Sequence, residues 1–193
     1  ELCKRHLNHT AEHVLDPTML LSPADYRKLI GEAGAEKYTN KITAFILDRS
    51  EDKLAALEKV SKVLAMDYNF AATETEDRLA PLEKRIAPSV ADWLKAMYYA
   101  DYIFTDSFHG CVFSILFNKP FVLYVNRNRG DPRFESLLKL FKIENRTLSD
   151  SNGLESCPIR QSIDWKPINA KLEEMRSKSM CFLENALTAR DEQ

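Results

Sequence analysis

The chain has 193 residues, of which 45% are hydrophobic and 29% charged, and a formal net charge of −2. That length and balance suit one domain of ordinary size, or one domain with a fragment of another, and exclude a generally disordered chain. The near-neutral charge excludes the basic footprint of a nucleic-acid binder, and no apolar run reaches the roughly 20 residues needed to span a bilayer as a helix.

Residues 1–12 read as a helix with few apolar positions, leading through Val14 and Leu15 to an Asp16-Pro17 turn. Ser22 and Pro23 then form a helix start, a capping serine followed by proline at the first helical position, with Tyr26, Leu29 and Ile30 as its apolar stripe. Residues 42–47 read as a buried strand. Residues 51–66 read as a helix, with Leu54, Leu57, Val60 and Leu64 at helical spacing. A second strand is expected over 68–72 and a surface loop over 73–85. Pro88 and Ser89 open a helix carrying Val90, Trp93, Leu94 and Met97, and Trp93 falls on its packing stripe. A third strand (102–105), a sharp loop (106–110), an apolar helix (111–117) and a fourth strand (120–125) follow. Residues 126–132 form a loop rich in Arg and Gly, 134–141 a helix, and 148–160 an irregular stretch. Lys166-Pro167 opens a last long helix whose Leu172, Met175, Phe182, Leu183 and Leu187 are expected to dock on the core.

Strand and helix alternate at least four times over short connections. That rhythm predicts an α/β fold, a Rossmann-like parallel sheet flanked by helices, with right-handed crossovers. In such a sheet ligands bind beyond the carboxyl ends of the strands. The rule selects four loops, over 48–50, 73–75, 105–110 and 126–133.

Two of these carry the most chemistry. The 105–110 loop reads Thr105, Asp106, Ser107, Phe108, His109, Gly110 and joins a buried strand to an apolar helix. Polar groups there lie at a helix N-terminus, where backbone N–H groups and the helix dipole favour an anion. His109 suits contact with phosphate or carboxylate, or proton transfer. The plainer alternative is that Asp106 or Ser107 only caps the helix and His109 is a satisfied half-buried residue. A serine-nucleophile reading is disfavoured, because triad members come from separate loops and no Gly-x-Ser-x-Gly elbow is present. The 126–133 loop offers Arg127, Arg129 and Arg133, guanidinium groups suited to bidentate recognition of an anion, or else a solvated basic loop. Cys3, His6, His9 and His13 have metal-like spacing but no second ligand cluster, so neither a metal nor a cofactor is expected. Cys111 reads as core. The four cysteines form no CxxC pair and are expected to be reduced thiols in a cytoplasmic protein, at most working at the inner face of the membrane. Residues 1–10 show no apolar leader.

Residues 93–121 (Trp-Leu-Lys-Ala-Met-Tyr-Tyr-Ala-Asp-Tyr-Ile-Phe-Thr-Asp-Ser-Phe-His-Gly-Cys-Val-Phe-Ser-Ile-Leu-Phe-Asn-Lys-Pro-Phe) closely resemble the polysaccharide pyruvyl transferase family. Residues 14–18 resemble the family's segment joining two domains, and the match continues through Arg133, Ser136-Leu137-Leu138 and Asn145-Arg146. The resemblance implies the C-terminal half of a two-domain bacterial enzyme with a fold similar to GT-B glycosyltransferases. It further implies transfer of a pyruvyl group from phosphoenolpyruvate to hydroxyls of a cell-surface glycan or lipid-linked sugar, forming a ketal. The family's histidine corresponds to His109, with a role in phosphate contact or as general acid. The chain departs from the family at Ser107, where many members carry Arg two positions before the histidine; Arg from the 127–133 loop, or a different donor, is then implied. Residues 1–21 are expected to be a remnant of the N-terminal domain and its connection, and 22–193 the Rossmann-like domain. With the N-terminal domain missing, the piece is expected to be inactive. Two alternatives stand beside this reading: a GT-B-like glycosyltransferase using a nucleotide sugar, and a non-catalytic module binding an anion.

Overall fold

The computed structural model describes residues 2–73, 79, 81–125 and 131–188. Two compact units are present: Ser22–Trp165, and the described residues of Glu1–Leu21 together with those of Lys166–Gln193.

In the larger unit, α2 (Pro23–Arg27) follows α1 (Leu2–Leu7) of the smaller one. Its start is a full capping box: Ser22 accepts from the Asp25 N–H while the Asp25 carboxylate accepts from the Ser22 N–H. Then come β1 (Lys41–Phe45), α3 (Glu51–Leu64), β2 (Asp67–Phe70), α4 (Leu82–Arg85) and α5 (Val90–Tyr99). They are followed by β3 (Tyr102–Thr105), α6 (Phe108–Leu116), β4 (Phe121–Tyr124), α7 (Asp131–Phe141) and β5 (Thr147–Leu148). All five strands are parallel, in the order β2-β1-β3-β4-β5. The Rossmann-like α/β expectation therefore holds, with one strand more than the four foreseen.

Alternation along each strand divides the side chains between two helix layers. Ile42, Ala44 and Ile46 from the β1 region, Tyr102 and Phe104 of β3, and Val122 and Tyr124 of β4 pack with Ala56, Leu57 and Val60 of α3. The opposite face meets α5 and α6: the Thr43 hydroxyl donates to the Ala96 carbonyl at 3.0 Å, and Phe45 meets Trp93 edge-to-face at 5.2 Å. Trp93 also packs on Phe113 of α6, so its expected packing role is met. Every residue from Gly110 to Leu116 is buried, as an apolar helix against a parallel sheet requires.

Several boundaries differ from expectation. Helix α1 stops at Leu7 rather than continuing to residue 12, with Asn8 in the left-handed region (φ 53°) ending it. Helix α4 is a single turn inside the stretch expected to be loop. Strand β5 was hidden because its two residues, Thr147 and Leu148, are too few to show a period. Beyond β5 the chain is irregular as expected, and buried Arg146 holds it by donating to the Pro158 carbonyl at 2.7 Å and the Gln161 carbonyl at 2.6 Å.

In the smaller unit, α8 (Trp165–Thr188) binds the segment over 15–21. The Leu15 N–H donates to the Ser179 hydroxyl at 3.0 Å, and the Arg176 guanidinium donates to the carbonyls of Met19 and Leu21. Ile168, Leu172, Met175 and Ser179 form its buried stripe. Phe182, Leu183 and Leu187, expected to dock, stay exposed, because the stripe runs on past the segment it holds. Among the described residues no helix is long and apolar enough to cross a membrane, and no group of His, Cys, Asp or Glu is placed to hold a metal ion.

Candidate functional site

The strand order reverses direction between β1 and β3, the position at which open parallel sheets bind ligands, beyond the carboxyl ends of their strands. The loops leaving these two strands are joined by one buried carboxylate. Asp106 accepts from the Leu47 N–H at 2.7 Å and the Asp48 N–H at 3.2 Å, and pairs with the Lys53 ammonium at 2.7 Å. Lys53 also donates to the Asp48 carbonyl at 2.8 Å. Asp106 is fully buried and Lys53 nearly so. This carboxylate is thus a brace between the two loops and is not open to the crevice.

Thr105 has a similar part. Its hydroxyl donates to the Phe45 carbonyl at 2.7 Å and accepts from the Ser107 N–H at 3.0 Å. Gly110, expected in a sharp loop, is instead in the first turn of α6, which begins at Phe108. A Cβ at Gly110 would lie 2.1 Å from the Thr105 hydroxyl oxygen and 2.8 Å from its Cβ. Absence of a side chain is what lets the helix start so close to the strand. Gly110→Ala is expected to lower unfolding stability by about 3 kcal/mol, the upper part of the overpacking range, since Thr105 is tied at both ends and cannot move aside. A urea titration showing a loss below about 1 kcal/mol would mean that the turn yields easily.

Ser107 is the N-cap of α6 by position but makes no side-chain cap bond. Ser22, Ser50 and Ser89 each cap their helices by accepting from the third N–H. The first turn of α6 is therefore left without the cap that the other serine-headed helices have. His109 is exposed in that turn, beside the half-buried Phe108. Arg133, at the start of α7, sets its guanidinium 5.1 Å from the Phe108 ring centroid, and Phe134 packs on the same ring at 5.9 Å. Phe108 is thus a platform that brings a cation from the start of α7 to the head of α6. Of the predicted site residues, His109 and Arg133 are exposed around this platform, Ser107 is buried at the head of the helix, and Thr105, Asp106 and Gly110 form the support beneath. Arg127 and Arg129 lie outside the described residues, as do Glu74 and Thr75.

Two further groups organise the same edge. Arg49 stacks on Phe70 at 4.0 Å, placing a second guanidinium at the ends of β1 and β2. Asp52, in the first turn of α3, accepts from the Ser151 N–H at 2.9 Å and the Tyr124 hydroxyl at 2.5 Å. Bonds from Ser151 and then Tyr124 hold its carboxyl below the usual carboxylate range, while burial and then the Asp52 bond push the Tyr124 hydroxyl up to about 12. The first turn of α3 therefore ties the loops after β1, β3 and β5 to the end of β4.

A family model described as polysaccharide pyruvyl transferase matches residues 2–128. No curated protein matches. Among solved structures, the glycotransferase of kitacinnamycin superposes with a TM-score of 0.52 at 15% identity, over 83% of this chain and 44% of that one. At that identity the similarity concerns the fold alone, and this chain spans under half the length of that protein.

Proposed function

Because the chain belongs to the polysaccharide pyruvyl transferase family, we propose that it is the donor-binding half of an enzyme that moves the pyruvyl group of phosphoenolpyruvate onto a glycan. In this reading two hydroxyls of the acceptor sugar bond to C2 of the donor, the methylene carbon gains a proton to become a methyl, and phosphate leaves with the second proton. The product is a cyclic ketal. A separate N-terminal domain supplies the other wall of the cleft, and the reaction takes place in the cytoplasm of a bacterium on a cell-surface glycan precursor. Without that domain the chain binds donor but does not turn it over.

The observation that carries the proposal is the uncapped head of α6 with Arg133 stacked on its first residue. First-turn N–H groups and a helix dipole favour a dianionic phosphate, and a guanidinium matches carboxylate or phosphate in a bidentate manner. His109 in the same turn is assigned to the leaving phosphate, as a contact and as general acid. Ser107 leaves room for the anion where a cap bond would compete for the same N–H group. Thr105, Asp106 and Gly110 fix the turn, and Arg127 and Arg129 are assigned to the donor's negative charge.

Phosphoenolpyruvate titration by calorimetry tests the donor site. Arg133→Met is expected to weaken binding by about 10- to 100-fold, the loss of one charge-assisted contact of about 1.5–3 kcal/mol. Equal binding by the variant and the parent chain would remove Arg133 from the site. Tight binding of a nucleotide sugar with no response to phosphoenolpyruvate would instead favour the glycosyltransferase alternative.

A further inference from the structure

The turn that follows β5 is tied to α3. The Ser151 N–H donates to the Asp52 carboxylate at 2.9 Å, and the Lys59 ammonium donates to the Ser151 carbonyl at 2.8 Å. Inside the turn the Asp150 carboxylate accepts from the Asn152 N–H at 2.8 Å and from the Gly153 N–H at 3.0 Å. A single helical turn over Gly153–Ser156 follows. Asn152 is exposed at the head of that turn, and its side chain makes no cap bond among the described residues. Its amide oxygen lies 3.5 Å from the Lys59 ammonium.

Asn152-Gly153 is the one asparagine–glycine pair in the sequence. Asparagine is a thermolabile residue. The peptide nitrogen that follows it can attack the side-chain carbonyl carbon, and glycine leaves that nitrogen with no side chain in its way. The fold does not call for glycine at 153. A Cβ there would lie 3.5 Å from the nearest Leu148 carbon and 3.9 Å from the Asp150 carboxylate, which are ordinary contacts, and its backbone is outside the left-handed region.

The closed turn holds the reacting atoms apart. Asn152 is helical (φ −92°, ψ −20°), and the Gly153 N–H is committed to Asp150. Attack needs that nitrogen free of its proton and turned toward the side chain, so the Asp150 bonds must open first. Local opening of this kind is an ordinary excursion of a surface turn.

We propose that Asn152 is a modification site, shut while Asp150 holds the turn and open to deamidation when it lets go. The Gly153 nitrogen bonds to the Asn152 side-chain carbonyl carbon, the amide C–N bond breaks, and ammonia leaves with the peptide proton. Water then opens the cyclic imide at either carbonyl, giving aspartate or isoaspartate. The new carboxylate stands beside Lys59. The isoaspartyl form lengthens the main chain by one carbon between Ser151 and Gly153, so Asp150 no longer meets both N–H groups and the turn does not close again. The site thus keeps a record of each opening of the segment that holds the first turn of α3.

The folded chain is kept warm at mildly alkaline pH. Peptide mapping by mass spectrometry reads the amide-to-acid change at Asn152, and labelling by an isoaspartyl methyltransferase reads isoaspartate. The chain unfolded in urea is expected to react roughly tenfold or more faster than the folded chain, since opening breaks two charge-assisted hydrogen bonds. Asp150 is exposed, and Asp150→Ala is expected to raise the folded chain's rate about 10- to 100-fold with little change in the urea midpoint. Gly153→Ala, for which there is room, is expected to suppress the product in both states. Should Asp150→Ala lose its fold, the parent chain in graded urea replaces it, with a rate expected to climb before the sheet unfolds. Equal rates for the folded and unfolded parent, no gain in folded Asp150→Ala, a rate that stays flat until global unfolding, or no product at Asn152 even in urea each overturns the proposal.

Discussion

On the proposed reading, His109→Ala, introduced into a form carrying the proposed N-terminal domain, is expected to lower kcat for phosphate release from phosphoenolpyruvate by about 10²- to 10⁴-fold, the range for loss of a positioned general acid. His109 is exposed in the first turn of α6, so the substitution removes no core contact and stability is expected to stay within about 0.5 kcal/mol. That separation makes the experiment decisive. A fall in kcat with unchanged thermal unfolding assigns the histidine to chemistry. An unchanged kcat in a folded variant returns His109 to the solvated surface and takes the donor reading with it. His109→Gln retains a hydrogen-bond donor without the proton-transfer capacity. Recovery of phosphoenolpyruvate affinity but not of kcat in that variant would divide phosphate contact from acid catalysis.

The second large effect is on stability. Lys53→Met is expected to cost about 3–5 kcal/mol, because it leaves the carboxylate of Asp106 buried without its counter-charge. The two backbone N–H bonds from Leu47 and Asp48 remain and set the lower end of that range. Combining Lys53→Met with Asp106→Asn removes the unpaired charge and is expected to recover part of the loss. Chemical denaturation of the two single variants and the double gives the coupling energy. A loss under about 1 kcal/mol for Lys53→Met would mean that water reaches Asp106 and that the brace between the loops after β1 and β3 is not a closed one.

These residues also mark how far the sequence could be read. The strands β1, β3 and β4 are short apolar runs between helices, and their boundaries follow to within two residues. The Ser22 and Ser89 helix starts were legible because a capping serine beside a proline leaves a local signature. The start of α6 was misplaced by three residues because His109-Gly110 reads as a turn, whereas the glycine is helical and is required by Thr105 across the strand, a contact with no local trace. Lys53 stands among several charged residues of α3. Yet the buried stripe of α3 is Lys53, Ala56, Leu57 and Val60, and Leu54 is exposed. A lysine in phase with an apolar stripe was the available signal, and its partner, 53 positions away, was not. His109 and Arg133 were selected by the rule for loops at strand ends, but nothing local tells that Phe108 joins them.

The smaller unit is assembled from the two ends of the sequence, its hydrogen bond from Leu15 to Ser179 spanning 164 positions. During synthesis the stretch over 15–21 emerges before its partner helix. The Ser22–Trp165 sheet can complete its own pairing while the chain is still tethered, whereas Leu15 and the carbonyls of Met19 and Leu21 await α8 until translation has passed it. The segment over 15–21 therefore waits without its partner, exposed to chaperones and proteases while residues 22–165 are made. A ribosome stalled before α8 would carry a nascent protein whose sheet resists cleavage and whose residues 15–21 do not.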